Sequence, residues 1–204
     1  THIYCPDPQS PAFEVTPHQT IAGYDDRASL AAFAALVDVV TYEFENVPAG
    51  TAETLAALKP LRPGANALSI SQDRLAEKSF IAALRIPVAL HRAIRNVTDL
   101  APALAALGSP AILKTTRLGY DGKGQRKVTS LADATAAFTD LAPHPLVLEA
   151  FVPFVREISI VLARGLDGAI AAFDPAENVH RDGILFTSTV PASISAATAA
   201  EAQR

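Results

Sequence analysis

Cysteine is almost missing: Cys5 is the single one in 204 residues. That excludes an internal disulfide framework and a zinc cluster built on cysteine, and it fits a reducing cytosol. Long apolar runs are missing as well. No stretch approaches the roughly 20 apolar residues that span a bilayer, and no basic leader precedes an apolar stretch and a small-residue cleavage site. Membrane insertion and secretion are therefore not expected, and the expected location is cytoplasmic. Nor is there a long basic run. With a net charge of −4, nucleic acid is not expected as the main partner, because that affinity comes largely from neutralising phosphates. A small anionic ligand stays compatible, since a local loop can be positive on an acidic protein. Aromatics are few, 6% of the chain, while half of the residues are apolar. This is the composition of a soluble globular protein.

No repeat or low-complexity segment stands out, and both ends read as cut. The chain opens on "THIYCPDP", a strand already under way, and stops in "AATAAEAQR", the alanine-rich opening of a helix. A fragment of a longer protein is the expectation.

Helical and strand patterns alternate, which predicts a layered α/β or α+β architecture. Over residues 27–37, Leu30, Phe33, Ala34 and Val37 recur at i, i+3, i+4 and i+7 and make one apolar helical face. "DVVTYEFEN" follows as a β-branched and aromatic strand. This is a half-Rossmann rhythm, and in open parallel sheets ligands approach the C-terminal strand ends, where Glu43, Glu45 and Asn46 fall. A solvated strand end explains the same residues equally well. A second helix is predicted from about Ser71 to just before Pro87, with Ala76, Phe80, Ala83 and Leu84 on one face and Asp73, Arg74 and Lys78 off it. Arg74 in the first turn gains nothing from the helix dipole. Either another group holds it or it is a solvated arginine.

Beyond Pro87 the pattern becomes a compact unit. Leu100, Leu104 and Leu107 recur at helical spacing and Gly108 is a C-cap candidate. "PAILKTT" is a short strand that delivers Lys114, and "RKVTS" is a returning strand. Leu131, Ala134, Thr135, Phe138 and Leu141 mark a further amphipathic helix, and "LVLEAFV" a further strand. Between the first two strands lies "GYDGKG". Glycine lets backbone N–H groups approach an anion without a Cβ clash, and adjacent N–H groups in a turn form a phosphate-binding concavity. Lys114 and Lys123 add compact positive charge. Neither a Walker sequence nor GxGxxG is present, and the loop joins two strands rather than a strand and a helix. A flap closing over phosphates and an ordinary glycine turn both fit.

"TYEFENVP", "DRLAEK", "PAILKTTRLGYDGKGQ", the glutamates of "EAFVPFVREISIVLAR" and "ENVHRDGIL" occur in an order that resembles the 5-(carboxyamino)imidazole ribonucleotide synthase family. These are ATP-grasp enzymes of bacterial and fungal purine biosynthesis, and the resemblance runs over nearly the whole chain. It implies an ATP-grasp fold with a truncated pre-ATP-grasp, half-Rossmann N-terminal domain. Residues 1–88 would be that domain with a connecting helix, 89–154 the lid with its glycine hairpin, and 155–204 the start of the C-terminal subdomain.

The implied reaction has ATP phosphorylate bicarbonate to carboxyphosphate, after which the amine of 5-aminoimidazole ribonucleotide takes up the carboxyl group. A homodimer is implied too. Position by position, Arg74 and Lys114 resemble phosphate contacts of ATP. Gly119, Tyr120, Asp121, Gly122, Lys123, Gly124 and Gln125 resemble the flap over the phosphates, with Tyr120 and Lys123 also facing imidazole and bicarbonate. Glu149, Ala150, Phe151 and Val152 resemble the hinge at the adenine, Glu157 the ribose-binding acid, His180 a nucleotide contact, and Glu45, with Glu43 second, the substrate-side acid. Without the resemblance, Glu157 reads as a salt-bridged surface glutamate and His180 as a solvated histidine.

The chain also departs from the family. A glycine-rich first turn of the form GGGQLG is missing, as are the expected Mg2+ ligands, a glutamate and a later asparagine–glutamate pair. The 204 residues alone are therefore expected to be inactive. Another ATP-grasp carboxylase or ligase, such as a biotin carboxylase or a formate-dependent glycinamide ribonucleotide transformylase, stays open, as does a non-catalytic nucleotide-binding module.

Overall fold

The computed structural model describes residues 1–119 and 122–204, so the expectations for Tyr120 and Asp121 lie outside the described residues. The backbone divides into two units, Thr1–Val88 with Thr116–Leu118, and Ala89–Thr115 with Gly119–Arg204.

In the first unit β1 (Ile3–Tyr4) pairs in parallel with β2 (Gln19–Thr20). Helix α1 (Arg27–Ala35) starts where one Asp26 oxygen accepts the N–H groups of Ala28 and Ser29 and the other accepts the Ser29 hydroxyl. These bonds satisfy donors that a helix start leaves open. Leu30, Phe33 and Ala34 are buried, as their spacing predicts. Helices α2 (Ala49–Ala56), α3 (Ala65–Ser71) and α4 (Arg74–Ala83) follow. Leu30 and Phe33 share a core with Val40, Leu55, Leu61 and Leu68.

Two expectations are corrected here. The strand over "DVVTYEFEN" is only a parallel bridge between Val40 and Leu61. The Val40 N–H donates to the Pro60 carbonyl and the Arg62 N–H to the Val40 carbonyl, each at 2.9 Å. Pro60 and Pro63 have no N–H, so the partner segment cannot extend the ladder. The helix expected from Ser71 begins three residues later, because Asp73 caps it through the N–H groups of Leu75 and Ala76. Its supposed apolar face, Ala76, Phe80, Ala83 and Leu84, is exposed, whereas Arg74, Leu75, Lys78 and Ile81 are half-buried. The Arg74 N–H donates to the Thr116 carbonyl at 2.9 Å, which turns this other side toward the fold.

The second unit opens with β3 (His91–Ile94), α5 (Leu100–Leu107), β4 (Ala111–Thr115), β5 (Gln125–Val128), α6 (Leu131–Leu141) and β6 (Leu146–Ala150). The strands form an antiparallel sheet in the order β3-β6-β4-β5. Ile94, Ala111, Leu113, Val128, Leu146 and Leu148 pack with α5 and α6 on one face. In α6 the buried stripe is Ala134, Ala137 and Leu141. Leu131 and Thr135, expected on that face, are exposed. The Ser130 side chain accepts the Asp133 N–H and sets the helix start, and with it the face that turns inward.

The remaining elements are β7 (Glu157–Ser159), β8 (Leu162–Arg164), β9 (Ile170–Ala172), β10 (Ala176–Arg181), β11 (Ile184–Thr189) and α7 (Ala196–Gln203). Strands β11-β10-β7 form one antiparallel sheet, and β8 pairs with β9. The alternating residues after Glu157 thus form two short strands in different sheets. Leu162 is 55% exposed, and its strand pairs only with β9.

Candidate functional site

Strand alternation sends side chains at i and i+2 to one face. With Leu113 and Leu148 committed to the core, Lys114, Val147 and Glu149 emerge on the face opposite the helices. Cross-strand register adds Gln125, opposite Lys114, and Lys127, opposite Ile112. On this face Lys114 Nζ lies 2.9 Å from Glu149 Oε2, with the lysine side chain 24% exposed and the glutamate 8%. A carboxylate so shielded from water must meet a cation or strong donors, and the lysine one strand away supplies the charge. An ammonium carries three N–H donors, so the pair leaves Lys114 able to meet an anion from its exposed part. Lys127 Nζ stands 4.6 Å from the centre of the Phe151 ring, within cation–π range. Ala150 ends β6, and Phe151 and Val152 are exposed just past it.

The glycine hairpin is pinned at its base, where the Thr115 N–H donates to the Gly124 carbonyl at 2.8 Å. Gly124 has φ +72°, and a Cβ there would stand 2.7 Å from Thr115 Oγ1. Gly122 has φ +71°, and a Cβ there would come to 3.2 Å from the Asp182 carbonyl oxygen and the Gly183 Cα. Both positions therefore need glycine for conformation and for space. The Asp182–Gly183 pair, with φ 52° and 80°, is the tight turn between β10 and β11, so it sits against the hairpin. Gly119 is half-buried and Lys123 exposed.

Glu157 and His180 come together on the neighbouring sheet. Strand β7 pairs with β10 through Glu157 and Asn178, and the register slips between Val179 and His180. His180, two residues past Asn178 on the same face of β10, has its Nδ1 3.4 Å from Glu157 Oε1. Arg156 supports the same strands through Glu177, 2.9 Å away, and the Ser193 carbonyl.

Arg74, Glu43 and Glu45 lie in the first unit. Arg74 opens α4. Glu43 lines a cleft of about 930 Å³ together with Tyr4, Phe33, Val40 and Tyr42, whereas Glu45 is not among its lining residues. Burial raises the Tyr4 hydroxyl above its usual value, with Asp26 and Asp25 adding to the effect. Sequence reasoning missed Gln72, Arg117 and Lys127. Lys127 could have been found by counting strand parity from Lys114; Gln72 and Arg117 carry no periodic signal.

Residues 79–204 match the family model described as ATP-grasp domain, and residues 1–72 match that of the ribonucleotide synthetase preATP-grasp domain. The chain is 49% identical over 205 aligned positions to the N5-carboxyaminoimidazole ribonucleotide synthase of Brucella melitensis, covering all of this chain and 57% of that protein. It superposes on a crystal structure of an ADP complex of N5-carboxyaminoimidazole ribonucleotide synthetase with a TM-score of 0.92 at 38% identity, covering 98% of this chain and 53% of the other. An Aspergillus clavatus N5-carboxyaminoimidazole synthase in complex with ADP and 5-aminoimidazole ribonucleotide gives a TM-score of 0.87 at 26% identity, covering 99% and 53%. The chain thus spans about half the length of these relatives. A helix-backed antiparallel sheet with its lysine–glutamate face, a glycine hairpin pinned at its base and a second sheet beside it are accounted for together: the chain belongs to the ATP-grasp family, with a ribonucleotide synthetase preATP-grasp domain ahead of the ATP-grasp domain.

Proposed function

We propose that the whole protein carboxylates 5-aminoimidazole ribonucleotide with bicarbonate and ATP in purine biosynthesis. The observation that carries this reading is the Lys114–Glu149 pair at 2.9 Å on the face of the β3-β6-β4-β5 sheet opposite its helices, next to the pinned glycine hairpin. A bicarbonate oxygen attacks the γ-phosphorus and ADP leaves, giving carboxyphosphate. The exocyclic amine then attacks the carboxyl carbon, loses a proton, and inorganic phosphate leaves.

An anion must here approach a polyanion, so fixed cations and N–H dipoles have to offset the repulsion as charge moves. Lys114 meets the phosphate oxygens, and Glu149 holds its ammonium in place. Gly119, Gly122, Lys123, Gly124 and Gln125 cover the phosphates and exclude water that would hydrolyse carboxyphosphate. Tyr120 and Lys123 serve the imidazole and bicarbonate. The segment Glu149, Ala150, Phe151 and Val152 meets the adenine, Glu157 the ribose hydroxyls, and His180 orients Glu157. In the first unit, Arg74 serves the phosphate side and Glu45 the ribonucleotide side. Among the described residues no group of three His, Cys, Asp or Glu side chains could hold a metal ion.

The test is ADP release by the whole protein with bicarbonate, with and without 5-aminoimidazole ribonucleotide, beside a panel of other amines and acids. Release that depends on the ribonucleotide is expected, with none from the 204-residue polypeptide alone. Release driven by another acceptor, or indifferent to all of them, would overturn the proposal.

A further inference from the structure

Gln72 has no part in the chemistry above, yet its side chain is almost wholly enclosed, at 4% exposure. Its Nε2 donates to the carbonyls of Glu45, at 2.6 Å, and Val47, and its Oε1 accepts from Arg117 Nη2 at 2.7 Å. Donor and acceptor chemistry leaves one orientation for this amide: guanidinium only donates and backbone carbonyls only accept. Two separate stretches of chain are therefore tied to one side chain. One is the acidic turn Glu45–Val47. The other is residues 116–118, through which the chain runs from Lys114 and Thr115 into the glycine hairpin. The Arg74 N–H to the Thr116 carbonyl bond, with Thr116 at 2% exposure, anchors this second stretch again. A buried amide with both N–H groups and its oxygen engaged is costly to disturb, because its partners would lose their bonds without gaining water.

We propose that Gln72, acting through Arg117, is a positioning residue that holds residues 116–118, from which the chain enters the glycine hairpin, and the Glu45–Val47 turn in one geometry. Nucleotide affinity and ribonucleotide affinity then depend on the same amide. This inference rests on the function proposed above, since it takes the hairpin as the phosphate flap and the turn as the substrate side.

The test uses the whole protein with Gln72→Met, Arg117→Met and the double variant. It measures the ADP dissociation constant by calorimetry, KM and kcat for 5-aminoimidazole ribonucleotide, and the thermal midpoint. Each single variant is expected to weaken ADP binding 5- to 10-fold and to raise the ribonucleotide KM by a similar factor, with kcat within about 3-fold; the double variant is expected to be no worse than Gln72→Met. Arg117 is exposed, so Arg117→Met keeps the question answerable should Gln72→Met fail to fold. A lowered thermal midpoint with unchanged ADP binding and KM would reduce Gln72 to a structural role, and additive losses would sever it from Arg117; either result overturns the proposal. A wild-type protein that binds ADP but does not turn over the ribonucleotide would defeat the functional reading instead, and the ADP constants would still decide whether Gln72 and Arg117 act on the hairpin.

Discussion

Glu149 is the residue on which the proposed nucleotide face turns. Its carboxylate is shielded, and Lys114 stands 2.9 Å away. Lys114→Met removes that cation and is expected to destabilise the protein by roughly 1–3 kcal/mol, below the range for a fully buried pair because the lysine keeps 24% exposure. Adding Glu149→Gln should recover part of the loss, because the remaining group no longer carries charge. Urea unfolding of both single variants and the double variant checks this. A second residue-scale expectation concerns Asp26, whose carboxyl is held below its usual value first by the Ser29 hydroxyl and then by the N–H groups of Ser29 and Ala28. A lowered folded value means that the cap stabilises above the ordinary carboxylate pKa of about 4 and fades as pH falls through the folded value. Asp26→Ala should therefore lower the thermal midpoint at pH 7 and differ less from wild type near pH 3. Asp26→Asn, which does not titrate, should keep the cap at both.

Among the elements, the glycine hairpin is the one least tolerant of change. Gly124→Ala puts a Cβ 2.7 Å from Thr115 Oγ1 at φ +72°, a conformation that alone disfavours an L residue by about 1–2 kcal/mol. The strain falls on the hairpin base, so the expected result is weaker ADP binding by calorimetry together with a modest drop in stability. The sheet beneath it depends on packing. Leu113 is fully buried in β4, and Leu113→Ala should cost about 2–5 kcal/mol in denaturant unfolding. Strands β4 and β6 were legible because central strands are apolar with β-branched residues. Strand β3, "HRAI", was not, because an edge strand buries little and only Ile94 reaches the core. Helix α4 shows a further limit: its apolar stripe is visible in the sequence, but the Arg74 to Thr116 bond, which spans more than 40 residues of chain, turns the opposite side inward.

For the molecule as a whole, a ligand that binds only the folded state stabilises it by about 2.7 kcal/mol at a concentration 100 times its dissociation constant. ADP at that excess is expected to raise the unfolding free energy of the whole protein by this amount, and Lys114→Met to abolish most of the gain at the same ADP concentration. No helix among the described residues is long and apolar enough to cross a membrane. What the sequence by itself determined is local: the helical stripe of α1, the strand that delivers Lys114, the glycines that permit a tight hairpin, and motif order specific enough to point to ATP-grasp. These follow from periodicity and backbone sterics over a few residues. Only the tertiary structure decided that Lys114 meets Glu149, that His180 reaches Glu157 across the β7–β10 pairing, that "DVVTYEFEN" forms a bridge rather than a strand, and that Gln72 gathers two distant stretches. Each of these depends on hydrogen bonds and burial between residues far apart in the chain, where neither propensity nor spacing carries a signal.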